Sequence, residues 1–508
     1  MKVFRTGTIL LASGIAVGST LMAQEGEIRT KQYEDGGIYE GTFRNGLQHG
    51  TGTYTLPNGY EYTGDWVEGE IKGDGTAHFP NGSLYEGQFE DGKPHGKGKI
   101  TFTDGGTYEG GWKQGKITGQ GVAIYANGLR YEGGFSNAMH HGQGRLESTS
   151  GYIYEGGWKN GTKDGTASIT YPDGAVYEGE IRNGVREGEG TLTMADGLIY
   201  TGTWREGQIN GEGKITQPNG DVYEGALRNG RRHGKGKFTH SNGDVYIGDY
   251  KDDLRHGQGV LSGTDGFRYE GAWAEGEISG EGRMTYTDGS VYEGMFRNDL
   301  PDGKGRITYA NGTVYDGEWQ AGAINGTGRI TYANGLVYDG EFKEARNHGK
   351  GVMTSPDGYR YEGEWQNGER AGQGKVTYAD GTVYEGAFRK GKRHGAGRMT
   401  KPDGFSYEGA WKDGKMSGSG VATYANGDVY EGAFEDGKRQ GSGTMRYANG
   451  EVETGQWGGE KPGDTATPEP AAEPDSQTPD PTEVPDYPDE PSIETDGAPE
   501  SGAESSNP

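Results

Sequence analysis

Histidine is the first residue type here whose spacing could do chemistry. Seven of the ten histidines (His49, His95, His141, His233, His256, His348 and His394) each stand ten residues after a tyrosine. Such a series could ligate metals or supply general bases. A metal ion, however, needs two to four ligands at about 2 Å. If each tyrosine marks one β-hairpin, equivalent atoms in successive hairpins lie roughly 9–10 Å apart. Most of these histidines are two units apart, hence about 20 Å from one another. They read as turn residues with structural hydrogen bonds, and no metal ligand is assigned. An acidic ladder directly follows the tyrosines, at Glu40, Glu86, Glu109, Glu132 and Glu155. It could collect divalent cations. Basic residues a few positions further on (Arg44, Lys113, Lys159, Arg182, Arg205, Arg228) favour a solvated face of mixed charge. Gly96 and Gly98 resemble part of a dinucleotide loop, but Thr101 stands where the third glycine belongs and no helix follows. Catalysis needs a unique constellation, and these segments are near copies. No catalytic residue and no cofactor is assigned, and the chain is not expected to be an enzyme.

The elements that carry these residues follow from one period. Tyrosine recurs every 23 residues from Tyr39 to Tyr430 without an insertion, and a nineteenth unit has Glu453 in its place, with Gly455 and Trp457 keeping the frame. Glycine falls two and eleven residues after each tyrosine. Thirteen after, it is glycine in all complete units but one, which has Ala167. The residue fifteen after is always apolar, as at Tyr54, Ile100 and Met399. In the unit of Tyr315, period-two alternation puts Thr313, Tyr315, Gly317 and Trp319 on one face. Gly326, Gly328, Ile330 and Tyr332 share a face in the same way. Each unit is therefore two short strands, with the inward glycines leaving room for neighbouring rings. An Asn-Gly or Asp-Gly pair precedes every tyrosine except Tyr154, which has Ser150-Gly151. These pairs suit a turn with positive φ at both central residues. A lone hairpin is marginal in water, so the units must stack.

All nine tryptophans lie four residues after the tyrosine position, on the same face. Such rings could stack on sugars, but a one-layer structure has little else to bury, so they read as core.

The segment Tyr85-Glu86-Gly87-Gln88-Phe89, followed by Gly92, His95-Gly96 and Gly98, is almost literally the pattern YEGxFxxGxxHGxG. The chain resembles the membrane occupation and recognition nexus (MORN) repeat family over about residues 33–459, and is similar to an exported bacterial member. The resemblance implies an all-β fold, an elongated single-layer ribbon of stacked 23-residue antiparallel hairpins. Members of that family have been linked to membranes, to dimerisation and to assembly. Some plant phosphatidylinositol-phosphate kinases carry such repeats, but no kinase lysine, HRD-like or DFG-like element stands here. Nineteen hairpins would extend to roughly 180 Å before twist.

Composition sets the remaining limits. Gly reaches 102 of 508 residues while hydrophobic residues make up 30%, too few for conventional globules of this length. There is no cysteine, which excludes disulfides and thiolate chemistry. Residues 1–23 have a secretory layout: two positive charges in Met1–Arg5, an apolar run from Thr8 to Thr20, and a small residue, Ala23, for cleavage. The run is too short for a comfortable membrane span. The expected compartment is the periplasm, the cell envelope or the extracellular space. Residues 460–508 hold 11 prolines and 14 acidic residues against Lys461 alone, so they are expected to be a disordered tail. Removing the tail's −13 and the leader's +2 from the total of −26 leaves −15 on residues 24–459. That balance disfavours nucleic acid and anionic membranes as principal ligands. The expected partner is a protein or a second copy of the chain, with an envelope glycan or membrane association as the alternative.

One fault interrupts the series. The aromatic four after the tyrosine alternates, as in Phe43, Trp66, Phe89, Trp112, until Leu227 is followed by Tyr250 and then Trp273. Two basic loops, Arg231-Arg232-His233 and Arg255-His256, adjoin there. A cationic patch and a local change of twist or packing are expected at that junction.

Overall fold

The computed structural model describes residues 27–458. The expected leader, residues 1–23, and the expected tail, residues 460–508, lie outside the described residues. Two compact units divide at Ile209/Asn210.

Thirty-eight β-strands and no helix occupy the described residues. Within each unit every strand pairs antiparallel with the strands before and after it in the chain. Each unit is a single layer of successive hairpins. The half-units Ile28–Gln32 and Val452–Trp457 are the first and last strands of the described residues.

The hairpin of Leu84–Glu90 and Lys93–Thr101 shows the construction. Tyr85 lies opposite Ile100 and Gly87 opposite Gly98; the register then shifts, and Phe89 lies opposite Pro94. The glycine eleven after the tyrosine does more than leave room for a ring. Gly96 sits in this bulge with φ +66°, where a side chain would strain the backbone.

The turns are assigned differently from the expectation. The Asx-Gly pairs ahead of the tyrosines lie in three-residue loops between hairpins, where only the glycine has positive φ, as at Gly105 (+88°). Asp104 instead accepts the Gly106 N–H at 2.9 Å. The paired positive-φ turn closes each hairpin at its other end: Asp91 (+50°) and Gly92 (+72°) join Glu90 to Lys93. A type I turn followed by a left-handed glycine needs one positive φ, whereas the two-residue hairpin loop needs two.

Flat rings on a glycine floor make the core. The Tyr85 ring lies over Gly87 and Gly98, and its hydroxyl donates to the Gln88 carbonyl at 2.9 Å. Trp112 reaches back one hairpin, its Nε1–H donating to the Gly98 carbonyl at 3.0 Å. Tyr85 stands edge-to-face with Phe89 of its own hairpin and Trp112 of the next, with centroids 5.0 and 5.1 Å apart. The second unit repeats this: Tyr315 meets Trp319 at 5.5 Å and Phe342 at 5.2 Å. Such contacts add roughly 0.5–1.5 kcal/mol each beyond the area buried.

The fault leaves this register intact. Gly234 faces Tyr250 as Gly96 faces Trp112. Tyr250 fills the missing tryptophan's place, 5.4 Å from Tyr223 and 5.2 Å from Tyr246.

Candidate functional site

In several units the histidine position braces one hairpin against the next. His49 Nδ1 accepts the backbone N–H of Glu68 at 3.4 Å, the first residue of the next hairpin's tight turn. Asn210 accepts from Asn229 at 3.0 Å, Asp302 from Ala321 at 3.2 Å and Asn325 from Glu344 at 2.9 Å, all at the same offset of 19 residues. Histidine is one of several acceptors that serve there. Among the described residues no cluster of His, Asp and Glu is arranged to hold a metal ion.

The residue nine after each tyrosine carries a role that the sequence reading missed. It lies between its own tyrosine and the ring of the next hairpin. In several units it is apolar and buried, as at Ile117, Ile278 and Met416. In several others it is a cation lodged among aromatic rings. The Arg393 guanidinium lies 4.7 Å from the Trp411 ring centre, and that of Arg186 lies 4.1 Å from Trp204. Arg232 (1% exposed) and Arg255 (4%) are inside, against Tyr250 and Trp273. Guanidinium groups tolerate this because the ring faces are electron-rich. His140 stacks on Tyr131 at 3.6 Å, its Nε2 within 2.8 Å of the Tyr125 hydroxyl, and burial pushes its pKa down to about 4. Burial likewise lowers the Lys163 ammonium. The signal was available: Ile and Arg are the commonest residues at this one offset from tyrosine.

These placements overturn the expected cationic patch at the fault. Two of its arginines, Arg232 and Arg255, are core residues. Arg228 donates to Asp252 at 3.0 Å, which lowers the Asp252 pKa. His233 Nδ1 lies 3.4 Å from the same carboxylate, and Arg231 lies 4.0 Å from Asp253.

The opposite face holds the acidic ladder, whose partners come from neighbouring strands in some units and from two residues earlier on the same strand in others, as Arg360 with Glu362 at 2.6 Å. In the second unit, Arg283 lies opposite Glu293, Glu293 opposite Arg306, Arg306 opposite Asp316, and Asp316 opposite Arg329. Arg283 and Glu293 approach to 3.0 Å. These pairs are solvated and weak singly, about 0–1 kcal/mol. They line the exposed face with alternating sign. The row is interrupted at Val352 and Val421, and at the fault hairpin both of its positions are apolar: Ile247 faces Val260 and is 56% exposed. An open concavity of about 500 Å³ lies here, lined by Glu224, Lys235, Ile247, Val260 and Glu270 among others.

The rings themselves are enclosed. The repeat tyrosines are at most 2% exposed and the internal tryptophans at most 7%. No stacking platform for a sugar is open among the described repeat rings, which removes the observation that the glycan alternative needed.

Comparison with known proteins agrees with the repeat. The MORN repeat model matches 18 consecutive segments, from residues 39–59 to residues 430–452. Alsin of Rattus norvegicus is 42% identical over 53 residues, which are 9% of this chain and 3% of that protein. The chain thus spans a small fraction of that relative's length. Among solved structures, the Drosophila melanogaster SAS-4 TCP domain, in complex with a proline-rich motif of Ana2, is 16% identical. The match covers 34% of this chain and 86% of that one, with a TM-score of 0.21. The G-box domain of the microcephaly protein CPAP is 14% identical, over 44% of this chain and all of that one, with a TM-score of 0.21. Such scores carry no argument about shape or partner. The 23-residue hairpin, its ring-on-glycine core and the 18 matched segments together establish that this chain belongs to the MORN repeat family.

Proposed function

We propose that the chain is a non-enzymatic binding or scaffold protein of the cell envelope, presenting a repeated β-surface to a protein partner or to another copy of itself. One observation carries this reading. The exposed face of the second unit offers an alternating carboxylate–cation row over the successive hairpins from Arg283 to Asp339, while the aromatic residues lie in the core. A periodic charged face suits a periodic or extended protein partner, since complementary charge sets register and encounter rate. Near-identical units supply many equivalent contacts and no unique constellation for chemistry. Binding to anionic membranes is not expected to be a main role, given the −15 balance of residues 24–459.

The test is capture from envelope extract by the immobilised chain lacking its first 23 residues. A variant with Arg283, Arg306 and Arg329 reversed to Glu serves as comparison. A partner captured by the native face and lost by the reversed one supports the reading; capture unaffected by the reversal overturns it. Export is tested by N-terminal sequencing, with Gln24 expected at or near the start of the mature chain.

A further inference from the structure

Two strands at the margins of the described residues are each half a hairpin. Val452–Trp457 is a first strand without a second, and Ile28–Gln32 is a second strand without a first. Among the described residues nothing pairs with the outer edge of either. Residues 1–26 and 459–508 contain no further copy of the 23-residue pattern.

Both half-hairpins break the repeat at inward positions, and they break it in matching ways. In a complete unit an inward Tyr faces an apolar residue, and beside them a Gly faces a Gly, as in Tyr85–Ile100 and Gly87–Gly98. In the C-terminal half-hairpin Glu453 takes the tyrosine's place. In the N-terminal one Lys31 takes the apolar place and Arg29 the glycine's place, by their offsets from the next unit. Shape agrees with charge. The second-strand glycine is needed because the tyrosine ring lies on it. Glu453 lays no ring on the residue that would stand at the second-strand glycine's place, and the space over Gly455 is open because both the ring and a facing strand are absent among the described residues. A side chain such as Arg29 can then stand opposite.

We infer that these halves complete one another between copies. Val452–Trp457 of one molecule pairs antiparallel with Ile28–Gln32 of the next, in the register of an internal hairpin. Glu453 then faces Lys31, Thr454 faces Thr30 and Gly455 faces Arg29, which places a second cation diagonal to the carboxylate. The hydroxyl pair Thr444–Thr454, 3.0 Å apart, extends to Thr30. Main-chain hydrogen bonds of the added strand supply affinity, and the charges set partner and register. Inward charges on an edge strand also guard against indiscriminate pairing. For that purpose either sign would serve at both edges. Opposite signs at matched positions make each edge refuse its own kind and accept the other. The contact is head-to-tail, so it can repeat from copy to copy. The inference rests on the binding reading above and names the partner as a second copy.

Mixing tests it. The native full chain is expected to show a mass-average that rises with concentration in sedimentation equilibrium and falls with added salt. K31E places Glu against Glu453, and E453K places Lys against Lys31; each variant alone should associate on the order of tenfold more weakly or worse. An equimolar mixture of the two restores opposite charge at every junction and should recover association, which also shows that both variants are folded. A native chain that stays monomeric at all concentrations overturns the inference, as does a mixture no different from its components. Capture of another protein by such a monomer would leave the scaffold reading standing.

Discussion

Arg232 is fastened to Asp253, one hairpin on, through both backbone and side chain. Its own N–H donates to Asp253 Oδ1 at 2.9 Å, and its guanidinium donates to the Asp253 carbonyl at 2.9 Å. Isoleucine takes the same place two hairpins later, where the Ile278 N–H donates to Asp299 Oδ1 at 2.7 Å. The brace from aspartate to backbone thus survives without the guanidinium. R232I is expected to fold within about 1 kcal/mol of native, because a well-packed apolar replacement offsets a buried charge. R232A leaves a cavity among the rings and should cost about 2–3 kcal/mol. Denaturant titration of both variants checks this; equal losses would show that the charge, not the filling, is what matters.

Inward glycines should differ sharply by place. A Cβ at Gly98 would overlap the Tyr85 ring, with Cε2 at 2.6 Å, whereas Gly455 has open space. G98V is expected to cost about 1–3 kcal/mol or more. Faster amide exchange should be concentrated in its own and adjoining hairpins, since units contact only their neighbours. G455V should leave stability unchanged. A comparable loss at both sites would remove the ring-on-floor account of the core.

Acid should weaken the first unit through His140. Its pKa falls from the usual value near 6.5 to about 4 because it is buried against Tyr131. The folded unit therefore binds fewer protons than the unfolded one between those values. The stabilisation is complete above about pH 6.5 and is lost as pH falls toward 4. H140F should flatten this part of the pH–stability curve. A curve unaltered by H140F would place the acid sensitivity elsewhere.

Alkali should act through the core tyrosines. Burial raises the hydroxyls of Tyr39, Tyr108, Tyr131, Tyr177 and Tyr407 to about 12. Between pH 10 and 12 the unfolded chain loses these protons and the folded chain keeps them, so stability falls as pH rises through that window. Ultraviolet titration should show the core tyrosines ionising late and together with loss of β-structure. Ionisation at pH 10 with the fold intact would mean that the rings are not enclosed.

The periodicity made the strands, the burial of Tyr85 and Trp112 and the stacking of units readable from residues alone, because alternation and spacing are local. Register was not readable. Asp91-Gly92 and Asp104-Gly105 are the same dipeptide, and only the bulge at Gly96 decides which one needs two positive φ angles. The cross-strand partner of Glu293 is Arg306 for the same reason: pairing across the bulge cannot be counted along one strand. Arg232 was misread as surface because hydropathy registers its charge and not the two rings around it. The apolar residue at the same offset in other units was the overlooked evidence.

Within each unit the backbone ladder links each strand only to the strands before and after it in the chain. Tension between the first and last strands of a unit therefore loads those hydrogen bonds in series, not in parallel. Such a unit yields one hairpin at a time, each release adding 23 residues, or roughly 80 Å of extended chain. The tight turn at Asp91-Gly92 and its counterparts then let each hairpin re-form from contacts close in sequence. Each unit is therefore expected to give way gradually under load and to recover, as a spring does.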